Sequence, residues 1–280
     1  MTAPQNPIAR AIWDGALPIK FSLDNNEAEA LGVKTIEPYF IEAPRCSYFP
    51  LLTSAIRKYF RDMAMNFIVD DAEIWHYPIG LLFDLHTGYR PDSNSPPPLP
   101  WSVTVHFKDF PDDKLIRAQA IDATQDFFMS MIKEADFLRN GTTKKVMNLS
   151  KNDQTQLWDG LWSKDYDKFW SMNYRLVIND GQVPRHIPLR IYLPGDCPVI
   201  QESISPLSEN GNQLTLGNVL HQILPDFFPS SSPPPLSNEN SFAAPIIHGI
   251  IPQLDIPIVW ASQNLCYPDN FLHIVVLLGL

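Results

Sequence analysis

The chain has 280 residues, which is enough for two or three small domains, and 45% of them are hydrophobic, so it can form a core of ordinary size. A net charge of −10 argues against general nucleic-acid binding and against a purely electrostatic attachment to anionic lipid. The polar, proline-rich start is unlike a secretory signal peptide, and the longest apolar run, at 271–280, is too short to cross a bilayer, so we expect a cytoplasmic protein.

The first predicted element is a short helix that begins at Asn6-Pro7 and ends at Gly15. A helix of this length is not stable alone, so its apolar side chains must dock on a surface. That surface belongs either to the chain's own domain or to a partner protein. The side chains concerned are Ile8, Ile12 and Trp13.

The segments that follow have the order of a ubiquitin-like β-grasp domain: two strands, a helix, then three short strands. Their ranges are 17–23, 36–43, 47–65 for the helix, 74–85 for two short strands or one bent edge strand broken at Pro78, and 101–107. A proline-rich loop is predicted at 91–100. The pattern does not give the order of the strands in space.

A longer helix is predicted over Ile121–Asn140, because apolar residues recur there at three- and four-residue spacing. Lys133 falls about 170° from the middle of this apolar stripe and should point into solvent. Its neighbours at i−4 and i+4, Met129 and Phe137, should share the outer face and offer footing for another protein. The alternative is an ordinary amphipathic helix with a solvated lysine.

Two further helices are predicted at 152–162 and 165–177, both rich in large aromatic residues that suit docking against neighbouring domains. The basic doublet Lys144-Lys145 lies before them. We interpret the doublet as a solvated face, with membrane contact as the alternative.

The last third of the chain repeats the element order of the first. Strands are predicted at 186–193, 199–205, 245–251 and 271–278, with helical segments at 214–224 and 259–265 and a Pro/Ser/Asn loop at 228–240. The apolar run at 271–278 is typical of a central strand covered on at least one face. The predicted fold is therefore α+β, with two ubiquitin-like β-grasp domains flanking a helix-rich middle. The predicted boundaries are 1–15 for the N-terminal helix, 16–110, 111–183 and 184–280.

A cysteine hydrolase is the competing hypothesis from the enzyme class. Its candidate groups are Cys266 with Asp269 and His273, or Cys46 with His76 and Asp84. Cys266 has no basic neighbour in the sequence that would lower the pKa of its thiol, and three separate cysteines without a CxxC pair favour a reducing compartment over a disulfide framework or a zinc site. The histidines occur singly and no phosphate-binding glycine loop is present, so we expect no catalytic residues, no metal and no cofactor.

Five segments together resemble the autophagy protein 5 family. They are 77–85 (YPIGLLFDL), 99–107 (LPWSVTVHF), 131–136 (MIKEAD), 247–250 (IHGI) and 267–274 (YPDNFLHI). They extend over nearly the whole chain. The proline-rich insertions at 91–100 and 229–240 and Ile132 before the lysine depart from the family pattern.

The resemblance implies a function for Lys133: in this family the lysine before Glu-Ala-Asp receives the C-terminal glycine of autophagy protein 12 through an isopeptide bond. An exposed lysine is almost entirely protonated at neutral pH, and Glu134 and Asp136 should favour the ammonium form. Lys133 is therefore expected to be a passive acceptor, deprotonated only in the site of an E2-like enzyme. The chain ends Gly279-Leu280 without an exposed Gly-Gly tail, so it is expected to be scaffold and not donor.

The resemblance also implies partners. The conjugate would act like an E3 in the transfer of autophagy protein 8 to phosphatidylethanolamine, at the pre-autophagosomal membrane. The N-terminal helix of autophagy protein 16 would lie in a groove between the two ubiquitin-like domains, and we expect Ile8, Ile12 and Trp13 near it. The non-enzymatic alternative is an adaptor of the ubiquitin-like fold that binds membranes without conjugation.

Overall fold

The computed structural model of the chain describes residues 6–30, 37–60, 68–69, 77–106, 121–178, 183–195, 197–229 and 243–278. Within these ranges it contains ten helices and eight strands. The helices are α1 (Pro7–Asp14), α2 (Asn25–Ala30), α3 (Phe49–Tyr59), α4 (Ile79–Thr87), α5 (Ile121–Asn140), α6 (Lys144–Met147), α7 (Lys151–Ser163), α8 (Tyr166–Val177), α9 (Leu216–Ile223) and α10 (Ile258–Asn264). The strands are β1 (Ala16–Leu23), β2 (Tyr39–Pro44), β3 (Ile68–Val69), β4 (Trp101–His106), β5 (Ile187–Tyr192), β6 (Ile200–Ile204), β7 (Ala243–Ile246) and β8 (Leu272–Leu278).

The two sheets have the same topology. Their strand orders are β2-β1-β4-β3 and β6-β5-β8-β7. Counted in chain order, the first strand of each sheet pairs antiparallel with the second and parallel with the fourth. The third strand pairs antiparallel with the fourth. This is the β-grasp arrangement, so the predicted fold of two ubiquitin-like domains flanking a helix-rich middle is confirmed.

The described residues form two compact units. The first-sheet unit comprises those of 14–89 and 93–127, and the second-sheet unit comprises those of 1–13, 90–92 and 128–280. In the first-sheet unit β1 turns alternate side chains into the core, among them Ile19 and Phe21, and Phe21 meets Phe49 of α3 edge to face at 6.2 Å. Burying such rings is the main favourable contribution to the fold.

In the second-sheet unit both faces of the sheet are covered. One face packs on α9 and α10, where Leu189 and Ile274 join Leu216 and Ile258 in a single apolar cluster. The other face carries Arg190 and contacts α5. All six residues of β5 and the first six of β8 are buried, which explains the continuous apolar run at 271–278 and confirms its assignment to a central strand.

The strands predicted at 74–85 are wrong, because α4 covers Ile79–Thr87 and ends at Gly88 with a left-handed φ of 57°. Six consecutive residues of α4, Ile79 to Asp84, are buried. A helix that is apolar on all sides shows no 3.6-residue period, so its sequence reads like a strand. The third strand of the first sheet is instead β3. The part of the prediction at 74–76, like the end of the predicted helix at 61–65, lies outside the described residues.

The helices α7 and α8 form a hairpin that the sequence encodes at both ends. Ser150 caps α7 and shares a reciprocal capping box with Asp153, and Asp165 caps α8. Gly160 allows the hairpin to close, because a Cβ there would lie 2.6 Å from the backbone nitrogen of Phe169. The predicted helices at 152–162 and 165–177 are confirmed. Within the described part of the chain, none of the helices has the length and apolar character needed to cross a membrane.

Candidate functional site

Lys133 is exposed on α5, as predicted. The neighbours on its inner side, Ile132 and Ala135, are completely buried, while Phe137 on the outer face is 54% exposed. Among the described residues no hydrogen bond or ion pair involves the Nζ atom of Lys133. The amine therefore stands free in solvent beside one exposed aromatic ring.

The predicted exposure of Met129 is wrong, because this side chain is only 7% exposed. The sequence suggested a single buried stripe on α5, but the helix has neighbours on two sides. Phe128 meets Trp158 of α7 at 5.9 Å between ring centroids, while Glu134 and Leu138 contact the second sheet. Packing from two directions widens the buried arc until it includes Met129.

Glu134 is held on the second sheet by two side chains of paired strands. Its Oε2 accepts from Nη2 of Arg190 at 3.1 Å, and its Oε1 accepts from Nε2 of Gln201 at 2.8 Å. Arg190 and Gln201 face each other across β5 and β6, and Nε of Arg190 donates to Oε1 of Gln201 at 2.7 Å. We call this closed ring of Glu134, Arg190 and Gln201 the acidic clamp.

Asp136 is buried and bonded away from Lys133. Its Oδ1 accepts from Nδ2 of Asn140 at 2.7 Å, and its Oδ2 accepts from the backbone N–H of Val146 in α6 at 3.1 Å. The two carboxylates that were expected to favour the ammonium form of Lys133 are thus both engaged elsewhere. Their contacts fix α5 in place instead.

Arg139 anchors the end of α5 in the interior of the second-sheet unit. Its guanidinium is buried, and Nη2 donates to the carbonyl oxygen of Asn270 at 3.0 Å. Burial lowers the pKa of this guanidinium, and the nearby Cys266 and Asp136 act in the opposite direction. Asn270 also exchanges two amide hydrogen bonds with Asn173 of α8, at 2.8 and 2.9 Å. The loop turn that contains Asn270, just before β8, therefore binds both α5 and α8.

The three apolar side chains of α1 named in the sequence analysis differ in how deeply they are buried. Trp13 is 7% exposed and lies against Phe169, Ile12 packs partly on the apolar cluster of the second sheet, and Ile8 is 40% exposed. The α1 helix is further held by an ion pair between Arg10 and Asp167. The docking that its length requires is therefore intramolecular. Of the three side chains, Ile8 keeps the exposure that a direct contact with a partner needs, whereas Trp13 is buried within the chain.

The first set of candidate groups for a cysteine hydrolase lies close together, but it is not arranged as a nucleophile and its base. Nε2 of His273 lies 2.8 Å from Oδ2 of Asp269, and its Nδ1 lies 2.8 Å from the hydroxyl of Tyr192, so both ring nitrogens are engaged by groups other than a thiol. Sγ of Cys266 instead lies 3.9 Å from the carbonyl oxygen of Asn270. These groups form a buried structural network.

The thiol of Cys266 is also poorly suited to attack. The sequence suggested no basic neighbour, whereas the structure places Arg139 beside it. Burial nevertheless outweighs the guanidinium and raises the pKa of Cys266 to about 11. In the second proposed group, Asp84 is paired with Arg45 at 2.6 Å and His76 lies outside the described residues.

One cluster of potential metal ligands was not indicated by sequence spacing. Donor atoms of Asp24, Glu27 and His106 lie within 4.8 Å of one another, and Nδ1 of His106 is 3.2 Å from Oε1 of Glu27. Oδ1 of Asp24 accepts from the backbone N–H groups of Asn26 and Glu27, which is the ordinary role of a residue that caps a helix.

Lys144 and Lys145 do not form a common solvated face. Lys144 is exposed, whereas Nζ of Lys145 donates at 3.4 Å to the carbonyl oxygens of Leu176 and Ile178. These carbonyls lie at the C-terminal end of α8, where a cation is favourable. Met147, three residues after Lys144 in α6, is 63% exposed, and Lys151 at the start of α7 is exposed as well.

The chain is a ubiquitin-fold protein with two β-grasp modules and a helical bundle. Lys133 is held outward on α5, the first long helix of this bundle. Family models match along the chain: "Autophagy protein ATG5, UblA domain" over residues 12–107, "alpha-helical bundle region" over 121–179 and "UblB domain" over 186–276. Autophagy protein 5 of Penicillium rubens is 35% identical, over 96% of both chains. That of Drosophila melanogaster is 33% identical over 98% of both chains.

The crystal structure of Kluyveromyces marxianus Atg5 has the same fold. It matches with a TM-score of 0.75 at 18% identity, covering 96% of this chain and 98% of that one. The chain belongs to the autophagy protein 5 family, as its five motifs indicated, and its role is in autophagy.

The sequence predicts that Lys133 points outward from α5 but does not predict the contacts that hold this helix in place. Glu134 and Asp136 were read only as charges near the lysine, and Arg139, Arg190 and Asn270 received no role. One signal was available for the last of these, because Asn270 lies inside the motif at 267–274 that carried the resemblance. Its φ of 70° is a backbone conformation in which asparagine is enriched.

Proposed function

We propose that the chain is a non-catalytic scaffold that accepts the ubiquitin-like modifier autophagy protein 12 on Lys133. The observation that carries this proposal is the state of that side chain, which is exposed, has no partner among the described residues and projects from a helix held on two sides. A lysine acceptor must leave its own protein surface and enter the site of a second protein. An amine without an intramolecular partner can do so at no cost in lost contacts.

The proposed reaction needs chemistry that the acceptor itself does not supply. The amine of Lys133 attacks the thioester carbonyl carbon that joins the modifier's C-terminal glycine to the cysteine of an E2-like enzyme. A C–N isopeptide bond forms, the C–S bond breaks, the thiolate leaves, and the amine gives its proton to a base in the enzyme's site. An exposed ammonium is a poor nucleophile at neutral pH, so the E2-like enzyme must provide that base.

Phe137 supports the same assignment. It lies one helical turn from Lys133 and is the most exposed of the large apolar side chains that the structure describes on α5. Exposed aromatic rings next to a reactive group are suited to contact with a protein partner. We assign Phe137 to recognition of the modifier or of the E2-like enzyme. Met129 has no such role because it is buried.

The conjugate is proposed to act like an E3, promoting the transfer of autophagy protein 8 to phosphatidylethanolamine. Autophagy protein 16 is the proposed non-covalent partner, bound through its N-terminal helix. Exposed Ile8 supports a contribution of α1 to this contact. Trp13 supports it indirectly, because it fixes α1 to the helical region.

The proposed location is the cytoplasm, with peripheral recruitment to the pre-autophagosomal membrane. Three exposed side chains that follow one another closely in the sequence support this proposal, namely the cations Lys144 and Lys151 and the thioether of Met147. Exposed cations and an exposed apolar group both suit the surface of an anionic bilayer. The same surface favours the second candidate function, a membrane adaptor that needs no conjugation. The two functions differ in whether binding depends on the modifier.

A reconstituted conjugation reaction tests the acceptor assignment. Lys133→Arg keeps the positive charge and removes the reactive amine, and Lys144→Arg makes the same change at an exposed lysine of α6. Conjugation is expected to disappear in the first variant and to continue at the wild-type rate in the second. A band of conjugate that survives in Lys133→Arg overturns the proposal.

A further inference from the structure

The acidic clamp lies directly beside the acceptor lysine. Glu134 follows Lys133 in the chain, and its two carboxylate oxygens each accept from a different strand of the second sheet, Oε2 from Arg190 and Oε1 from Gln201. The cross-strand bond from Arg190 to Gln201 closes the ring. Every member of the clamp therefore contacts both of the others.

Arg190 is itself fixed, so the clamp has a rigid base. Its guanidinium carbon lies 4.1 Å from the centre of the Phe271 ring, and Nη1 lies 3.8 Å from Sδ of Met131, one turn before Glu134 on α5. The side chain is buried, and its planar guanidinium donates to two partners at once, from Nη2 to Glu134 and from Nε to Gln201. Further along the helix the hydroxyl of Ser203 donates to the carbonyl oxygen of Leu138 at 2.8 Å.

These contacts decide the direction in which Lys133 points. Successive side chains on a helix are separated by about 100°, so a helix whose residue 134 is bound to the sheet has a fixed direction for residue 133. Ile132 and Ala135 are buried on the inner side, and Asp136 is bound to α6. Within 131–136, Lys133 is the residue classed as exposed.

The clamp and Asp136 also remove the carboxylates that would compete for the amine. Asp136 has the i+3 spacing from Lys133 that normally allows an ion pair on a helix surface. Its bonds to Asn140 and Val146 prevent that pairing. The acidic residues next to the lysine thus hold the helix and leave the amine free.

We propose that Glu134 is a positioning residue for the transfer to Lys133, acting through the acidic clamp to fix the rotation of α5 against the second sheet. This inference rests on the proposed acceptor function. Glu134 does not touch the reacting atoms. It sets the direction from which the amine approaches the thioester, and small errors in such an approach can cost up to about 100-fold in rate.

The test exchanges the carboxylate of Glu134 and the amide of Gln201. Glu134→Gln replaces one of the two acceptor oxygens with an amide N–H group, so the bond from Arg190 or the bond from Gln201 loses its acceptor. Gln201→Glu places two carboxylates face to face. In the double variant, Glu134→Gln with Gln201→Glu, the carboxylate stands on β6 and the amide on α5. Arg190 can then donate to both positions again, and the amide can donate to the carboxylate, so all three bonds re-form.

We expect each single variant to lower kcat for conjugation by about tenfold, with KM for the charged E2-like enzyme changed less than twofold, and the double variant to recover most of the rate. Glu202→Gln is the matched control, because it removes an exposed carboxylate from the same strand outside the clamp. It should conjugate like the wild type. Unfolding midpoints measured in parallel separate positioning from general loss of structure.

The outcomes separate this inference from the function on which it rests. Wild-type kcat in both single variants overturns the positioning role, and so does a loss that the double variant does not restore or that follows the unfolding midpoint. Lys133→Arg is run beside them. If it still conjugates, the acceptor assignment fails. If it does not conjugate while the clamp variants react normally, the acceptor assignment stands and the positioning inference alone fails.

Discussion

The indole of Trp13 lies against the ring of Phe169, with centroids 4.9 Å apart and planes inclined by 33°. Its Nε1 donates to the carbonyl oxygen of Lys164 at 3.2 Å, at the turn between α7 and α8. One side chain near the start of the chain is thus part of the core of the helical hairpin. The helix α1, too short to be stable alone, owes its position to this contact.

Trp13→Ala is expected to destabilise the protein by about 3 to 5 kcal/mol, because it removes a buried ring and leaves a cavity against Phe169. Equilibrium denaturation in urea measures the loss. Ile8→Ala is the control on the same helix and should change the free energy of unfolding by less than about 0.5 kcal/mol, since that side chain is largely exposed. Equal effects of the two substitutions would contradict the assigned packing of α1.

Much of the fold could be predicted because strands and helices that face solvent on one side keep a regular spacing of apolar and polar residues. The order of strand and helix segments on either side of a helical middle indicated the β-grasp fold, and the spacing of apolar residues placed Lys133 on the outer side of α5. Each of these signals is local, since it depends on which side of a single element faces solvent.

Features that depend on several neighbours could not be predicted. The first six residues of α4 are all buried and show no helical period, so their sequence resembles that of a strand. The burial of Met129 depends on α5 having two packing partners. Arg139, Asn173 and Asn270 are up to 131 positions apart in the chain, and no spacing rule brings them together. Strand order within each sheet also required the structure.

The raised pKa of Cys266, about 11, predicts a protonated and unreactive thiol at pH 8. Iodoacetamide at that pH should modify the exposed Cys197 in the native protein and leave Cys266 unmodified until denaturant is added. Mass spectrometry of the labelled peptides provides the measurement. Labelling of native Cys266 as fast as Cys197 would show that the thiol is neither buried nor protonated as described.

The same shift has a consequence for stability at high pH. The unfolded chain loses the thiol proton near the ordinary pKa of 9.0, whereas the folded chain holds it until about 11. The folded state therefore binds more protons between these values, and the contribution of Cys266 to stability is complete below pH 9 and falls as the pH rises. Cys266→Ala should unfold with a weaker dependence on pH than the wild type between pH 9 and 11.

Asn270 combines a left-handed backbone with a buried amide pair, and two substitutions separate these roles. Asn270→Gly loses the pair with Asn173 but keeps the favourable backbone, for an expected loss of about 1 to 3 kcal/mol. Asn270→Ala adds the steric cost of a Cβ at positive φ and should be less stable than Asn270→Gly by about 1 kcal/mol. Chemical denaturation of both variants decides, and the reverse order would refute the strained-turn assignment.

Membrane contact through α6 is tested by vesicle flotation. Lys144→Glu with Met147→Gln should reduce flotation of the unconjugated protein with anionic vesicles several-fold, because it replaces an exposed apolar side chain with a polar one and reverses one charge. Lys58→Glu makes the same charge change at an exposed position of α3 and should float normally. If both variants lose binding equally, net charge and not this surface governs the contact.

The central claim is that one amine of this chain, held outward on α5 by contacts on either side of it, receives the modifier. Mass spectrometry of the conjugate formed in a reconstituted reaction tests it most directly, by locating the lysine whose peptide carries the modifier's C-terminal glycine. The account predicts that this branch lies on Lys133. A branch found on another lysine, such as Lys144 or Lys151, would contradict it.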